Sequence, residues 1–311
     1  MPLDPHARRF LDRLGALQPR QPRRLSVGER RDALAQLLSL AGRAEDVGGI
    51  EDLWVDGAQS RLRARLYSPK DAVGQVRPGL VYFHGGGLVA GSLESHDAIC
   101  RSLTNATGCR IVSVDYRLAP EHPFPAAIAD GRAAFEWSLA HAAEVGIDPR
   151  RLGIAGDSAG ATLAAVVCQS LSTECHLRPA VQVLICPILD FCADTGSRRS
   201  FGEGYFLDHA TLAHDLEHYL VAGVEPSHPL VSPLRSADVS AAPPTCLHTA
   251  EFDPLCDEGA AYAERLSAAG VQTTYRCHSG MIHLFYGMGG LIPYAATAFQ
   301  ILGADIRAML L

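Results

Sequence analysis

From residue 79 to the C-terminus, short apolar runs alternate with helix-patterned segments, and nothing else in the chain constrains its fold as strongly. The runs cover residues 80–83, 110–115, 152–155, 181–186, 245–250 and 271–277. Helical spacing covers 97–107, 126–143, 158–172, 258–269 and 294–309. Strands that are apolar on both faces and separated by helices belong in a parallel sheet covered on both sides. An α/β fold with a mostly parallel central sheet is therefore expected. At 311 residues and 48% hydrophobic, the chain is long enough to bury a large core.

Outside that region the pattern changes. Phe10, Leu11, Leu14 and Leu17 recur at helical spacing over residues 5–18, as do Leu34, Leu37, Leu38 and Leu40 over 29–41. Pro19 and Pro22 separate the two. Leu62, Ala64 and Leu66 alternate with Arg61, Arg63 and Arg65, which reads as a half-exposed strand. Residues 196–244 interrupt the strand–helix alternation with Gly196, Gly202, Gly204, a helical stretch over 207–220 and five prolines from Pro226 to Pro244. An insertion is expected there, packing with the N-terminal helices over the strand ends as a lid does. The implied division is 1–45 as N-terminal cap helices, 46–195 as the first part of the core, 196–235 as the cap insertion and 236–311 as the second part of the core.

Two motifs carry chemistry. The run 153–160 contains Gly156-Asp157-Ser158-Ala159-Gly160, a G-x-S-x-G between a strand and a helix. That context puts the serine on a sharp turn with its hydroxyl exposed. Alone the motif is weak, since composition produces one in roughly one chain in ten of this length. Upstream stands His84-Gly85-Gly86-Gly87, also after a strand, where bare backbone N–H groups can face a developing oxyanion. The bland alternative is two glycine turns, with Ser158 an ordinary helix cap. The pair in this order and context instead describes an acyl-transfer site.

A serine needs a base, and the base an orienting acid. On a sheet with an elbow serine they follow in the order Ser, Asp or Glu, His. Glu251, Asp253 and Asp257 compete for the acid role at the end of the 245–250 strand. Asp253 is preferred because Pro254 holds it extended, although it would also serve as a helix cap. Of thirteen histidines, only His278 and His283 follow a later strand. His283 is preferred because its loop can swing back over the strand ends.

Other chemistries find less support. His214-Asp215-Leu216-Glu217-His218 has histidines four apart, but Asp215 stands where a zinc-protease helix needs Glu. It reads as a solvated helix face, and no metal or cofactor is expected. Net charge of −7 gives no reason to expect nucleic acid. No apolar stretch of about eighteen residues indicates a membrane span. The N-terminal arginines Arg8, Arg9, Arg13, Arg20, Arg23 and Arg24 precede no apolar signal-peptide core and are interrupted by Asp4, Asp12, Glu29 and Asp32, so a solvated helix surface is expected. Nine cysteines without a C-x-x-C point to reduced thiols in a cytoplasmic protein.

Taken together, these motifs resemble the hormone-sensitive-lipase-like branch of the α/β-hydrolases, in its bacterial carboxylesterase form. The resemblance runs from about Arg77 to Phe285. It includes His84-Gly85-Gly86-Gly87, Gly91-Ser92 with His96-Asp97, and Asp115-Tyr116-Arg117-Leu118-Ala119-Pro120-Glu121-His122 with Pro123-Phe124-Pro125-Ala126. It continues through Gly156-Asp157-Ser158-Ala159-Gly160, Asp253-Pro254-Leu255 with Asp257-Glu258-Gly259, and His283 before Phe285.

The resemblance implies an α/β-hydrolase core with a helical cap, Ser158 as nucleophile, His283 as general base and then acid, and Asp253 as its orienter. It places the oxyanion hole at the N–H groups of Gly86, Gly87 and Ala159, with His84 and Gly85 supporting the loop. Leu88 stands where the family commonly has a large aromatic, and with Asp157 it is expected at the substrate pocket. Cys256 stands where the family commonly has Arg. The implied activity is hydrolysis of a small-molecule ester of short to medium acyl chain. An amidase or deacetylase would use the same three residues. A non-catalytic binding protein on this scaffold is disfavoured by the complete set. Members of the family are often dimeric, though no residue here fixes a homodimer.

Overall fold

In the strand Arg77–Phe83, Leu80 and Tyr82 turn into one hydrophobic core while Val81 and Phe83 turn into another, and all four are fully buried. Both faces of the sheet are therefore covered, which is why this strand reads as a continuous apolar run instead of an alternating one.

The computed structural model describes residues 1–17, 25–39, 42–72, 74–171 and 174–310. The chain runs through α1 (Pro5–Leu17), α2 (Val27–Ser39), β1 (Gly49–Asp56), β2 (Arg61–Ser68), β3 (Arg77–Phe83), α3 (Asp97–Thr107), β4 (Arg110–Val114), α4 (Ala126–Ala140) and β5 (Ile147–Asp157). It continues through α5 (Ala159–Leu171), β6 (Gln182–Ile185), α6 (Gly196–Phe201), α7 (His209–Tyr219), β7 (Thr245–Phe252), α8 (Cys256–Ala268), β8 (Thr273–Ile282) and α9 (Tyr294–Leu310). Pro19, Pro22, Arg20, Arg23, Arg24 and Leu40 lie outside the described residues. Arg8, Arg9 and Arg13 are exposed on α1, as expected.

The eight strands form one sheet in the order β1-β2-β4-β3-β5-β6-β7-β8. From β4 to β8 every pairing is parallel, while β1–β2 and β2–β4 are antiparallel. Buried residues of α4, α5 and α8 fill one core and those of α3 and α9 the other. The chain passes from β3 outward to β4 and then back to β5 on β3's other side. The strand order thus reverses at β3/β5, and open α/β sheets bind ligands outside the strand C-termini at such a point.

Two strands depart from expectation. β1 carries no apolar period because only Val55 of its eight residues is buried, and Trp54 is largely exposed. β5 begins at Ile147, earlier than its apolar run, where Arg77 pairs with Ile147 before a register shift. Pro149, Arg150 and Arg151 hide that start in the sequence. Among the described residues, no helix is long and apolar enough to cross a membrane.

Candidate active site

Ser158 follows β5 directly and precedes α5. Its φ is 52°, a strained value for a residue with a side chain. The turn is tight because α5 starts against β3: a Cβ on Gly160 would stand 2.1 Å from the Phe83 carbonyl oxygen. The glycine there permits the approach, and the strained serine presents its hydroxyl beyond the strand ends.

The same edge of the sheet supplies two more groups. His283 follows β8, and Asp253 follows β7. His283 Nε2 lies 3.0 Å from Ser158 Oγ, and His283 Nδ1 lies 2.7 Å from Asp253 Oδ2. All three side chains are buried. Because a carboxylate only accepts, the geometry assigns the imidazole proton to Nδ1 and leaves the Nε2 lone pair facing the serine hydroxyl. The other Asp253 oxygen accepts from Leu255 N at 2.9 Å, which fixes the carboxylate's orientation.

The competing candidates are occupied elsewhere. Glu251 pairs with the Met1 amino group at 2.8 Å and accepts from Gly280 N at 2.7 Å. Asp257 accepts from Ser197 N at 2.8 Å. His278 lies within β8, with Nε2 2.9 Å from His248 Nδ1 and 3.0 Å from the Tyr286 hydroxyl.

The glycine loop after β3 faces the serine. Gly86 and Gly87 have φ of 118° and 69°, values open to glycine. Among the described residues, the N–H groups of Gly86, Gly87 and Ala159 meet no protein acceptor. For Ala159 this is the normal state of a first-turn helix donor. His84 braces the loop from behind: its ring stacks on Tyr116 at 4.4 Å, its Nδ1 lies 2.9 Å from the Gly85 oxygen, and Tyr116 donates to the His84 carbonyl at 2.6 Å. Burial, reinforced by His96 nearby, pushes the His84 pKa down to about 3, so the ring is neutral near neutral pH.

Asp157, expected at the pocket wall, borders the cavity but also ties the loop to the elbow. Its Oδ1 accepts from Gly85 N at 2.9 Å and from the Tyr82 hydroxyl, and its Oδ2 lies 3.5 Å from His96 Nε2. Burial opposes its ionisation, but the attraction of His96 and the hydrogen bond from Tyr82 prevail and hold its pKa below the usual carboxylate value.

A model of the α/β-hydrolase-fold family matches residues 80–287. The chain belongs to the α/β-hydrolase family. This hydrolase is 39% identical to the carboxylic ester hydrolase LipN of Mycobacterium tuberculosis over 267 residues, 84% of this chain and 70% of that protein. It is 37% identical to the ethyl acetate hydrolase of Pseudomonas putida over 259 residues, 82% of this chain and 81% of that one. Among solved structures, the ester-hydrolase EH1AB1 from the Lake Arreo metagenome superposes with a TM-score of 0.94 at 38% identity, covering 98% of both chains. The hyperthermophilic esterase of the archaeon Pyrobaculum calidifontis gives 0.92 at 36%, covering 99% of both. Within the family, the likeness is to the hormone-sensitive-lipase-like esterases that the sequence motifs imply.

In this α/β-hydrolase a cavity of about 310 Å³ opens onto Ser158, His283, Gly86 and Gly87. Its wall is mostly apolar and includes Leu34 and Leu37 of α2, Phe206, Leu212 of α7, and Leu284. Leu88, expected at the pocket, is not among the described residues that line it. With φ of 63°, Leu88 is 2% exposed and packs in the core cluster that contains Tyr116.

The helix face carrying His214 and Asp215 also differs from expectation: it is buried and not solvated, at 8% and 4% exposed. α7 lies against the glycine loop, and Arg30 of α2 reaches Asp215 with Nη2–Oδ2 at 2.8 Å and Nε–Oδ1 at 3.2 Å. The His214 and His218 rings lie 4.3 Å apart, tilted by 36°, and among the described residues no third ligand joins them. Two groups of side chains among the described residues are close enough to share a metal ion, Cys186–Asp253–His283 and Cys246–His248–Asp305. In the first, the His283–Asp253 hydrogen bond occupies ligand atoms; in the second, Arg276 holds Asp305, with Nη2–Oδ1 at 2.7 Å.

Proposed function

We propose that the protein is a serine carboxylesterase acting on small esters of short to medium acyl chain, with the cap formed by residues 1–45 and 196–235. The observation that carries this reading is the buried line from Ser158 through His283 to Asp253, which ends on a mostly apolar cavity beside three free N–H groups. The esterase relatives support the ester class.

Ser158 Oγ attacks the ester carbonyl carbon while His283 Nε2 takes its proton. The carbonyl oxygen becomes an oxyanion and accepts hydrogen bonds from Gly86, Gly87 and Ala159, donors already in place before charge develops. His283 then gives its proton to the departing alkoxide, the C–O bond breaks, and the acyl group stays on Ser158. A water enters, His283 removes its proton, and the reverse sequence releases the carboxylic acid. Asp253 keeps the imidazole in the tautomer that accepts from serine and stabilises the cation formed at each step.

The mostly apolar cavity wall suits an acyl or alcohol chain. The cytoplasm is the proposed compartment: the eight cysteines described are free and five are buried, which fits a reducing setting.

The test is the initial rate on p-nitrophenyl esters from acetate to palmitate, beside Ser158→Ala. Activity peaking at short or middle lengths and falling by roughly 10⁴–10⁶ in the variant is expected. Turnover that survives Ser158→Ala overturns the mechanism. Cleavage of matching anilides in preference to the esters moves the assignment to an amidase.

A further inference from the structure

Cys256 and Cys277 bring their Sγ atoms to 3.7 Å from two different elements, the first turn of α8 and the middle of β8. Among the described residues, no other two cysteine sulfurs stand within hydrogen-bonding distance. Cys277 is paired across the ladder with Thr249 of β7, and Thr249 Oγ1 lies 3.8 Å from Cys256 Sγ. β8 is the edge strand of the sheet, and Cys277 is exposed while Cys256 is half-buried. A small oxidant therefore reaches this pair, whereas five of the other thiols are sealed in the cores.

The two sulfurs are chemically unequal. A hydrogen bond from Cys256 stabilises the Cys277 thiolate and brings its pKa down to about 7, despite partial burial. The same contact raises Cys256, which keeps its proton. An exposed sulfur that is substantially thiolate at neutral pH, beside a second thiol, is the arrangement of an attacking and a resolving cysteine.

We propose that Cys256 and Cys277 form a redox-modification site at which a peroxide closes an intramolecular disulfide beside the turn that carries Asp253. Cys277 attacks one oxygen of hydrogen peroxide, the O–O bond breaks, and the leaving hydroxide is protonated to water, so that Cys277 becomes a sulfenic acid. Cys256 sulfur then attacks Cys277 sulfur, its proton and the sulfenic hydroxyl leave as a second water, and the S–S bond forms. Two thiols and one peroxide give one disulfide and two waters, with two electrons passing from sulfur to oxygen. The sulfurs close from 3.7 Å to about 2.05 Å. Cys256 is tied to the proposed orienting acid by a turn in which Cys256 N donates to the Asp253 carbonyl at 3.1 Å and Leu255 N donates to Asp253 Oδ1 at 2.9 Å. Closure therefore moves the residue that anchors Asp253, and small misplacements of such groups slow turnover. This last step rests on the esterase reading, whereas the disulfide itself is read without turnover.

The experiment treats the full-length protein with equimolar hydrogen peroxide at neutral pH and measures intact mass, thiol count in denaturant, linked peptides and ester hydrolysis. The expected result is a mass lower by about 2 Da, two thiols lost, and a peptide joining Cys256 to Cys277. All of these are reversed by dithiothreitol and absent in both Cys277→Ser and Cys256→Ser. Turnover is expected to fall by about threefold or more on oxidation and to recover on reduction. Oxygen addition at Cys277 without a cross-link, or oxidation confined to the exposed Cys192, overturns the site. A cross-link that leaves turnover unchanged overturns its coupling to Asp253.

Discussion

The carboxylate of Asp215 lies so close to Gly87 that a Cβ on Gly87 would stand 1.9 Å from Asp215 Oδ2. Asp215 belongs to α7 and Gly87 to the loop after β3, so a helix lying over the strand ends limits how far the loop can shift. Arg30 in turn fixes the carboxylate from α2.

Gly87→Ala meets this contact and a φ of 69° together. The loop must give way, and the proposed oxyanion donor moves with it. The expected loss in kcat is about 10²-fold or more, measured by steady-state kinetics on a short-chain ester. Parental kcat would remove Gly87 from the oxyanion role.

Arg30→Met leaves Asp215 buried without its cation. Breaking such a pair costs about 3 kcal/mol at the lower end of the usual range, in keeping with the slight exposure of Arg30. The melting temperature should drop by several degrees, and the Arg30→Met/Asp215→Leu double variant should recover most of it. Thermal unfolding of all four members of the cycle checks this. Purely additive losses would show that the pair is not coupled.

Tyr82→Phe removes one donor from Asp157 and leaves Gly85 N–H as the remaining partner of Oδ1. A hydrogen bond to a buried charge contributes about 1.5–3 kcal/mol, so denaturant unfolding should shift to lower concentration. Because the same carboxylate holds the glycine loop, kcat should fall by about tenfold while KM changes less, as misplacement of a proposed oxyanion donor requires. Lost stability with intact kcat would confine Asp157 to a structural role.

Acid should destabilise the fold before the carboxylates titrate. Burial, with neighbouring positive charge, lowers His84 and His248 to about 3 and His278 to about 4. In the unfolded chain these rings protonate near their ordinary value of about 6.5. Their contribution is therefore complete above that pH and is lost as pH falls towards 4 and then 3. Between those limits each adds up to about 1.4 kcal/mol of lost stability per pH unit. Urea midpoints at pH 7, 6 and 5 should decline steadily. A constant midpoint would mean that the buried rings carry charge in the folded protein.

The sheet and the Ser–His–Asp line were legible because each rests on local signals. Apolar runs mark strands buried on two faces, and the residue after each strand's end lies at a predictable edge. β1 left no signal, since a strand with only Val55 buried has no apolar period. Tyr82–Asp157 and Arg30–Asp215 join residues 75 and 185 positions apart, and no local pattern encodes such pairs. Helical spacing put His214 and His218 on one face but could not tell that the face is covered. Leu88 was misplaced for a related reason: proximity to the glycine triplet in sequence says nothing about where a residue at φ of 63° directs its side chain.

Ser158 and His283 are 125 residues apart, and β7 and β8 both lie between them. A chain being synthesised from its N-terminus thus has the elbow long before it has the base. Until residue 283 emerges, the serine lacks the imidazole proposed to take its proton. Under the proposed mechanism, hydrolytic competence therefore arrives only once the final strand and the turn after it are made, and a nascent chain, or one clipped before His283, is inert towards the esters around it.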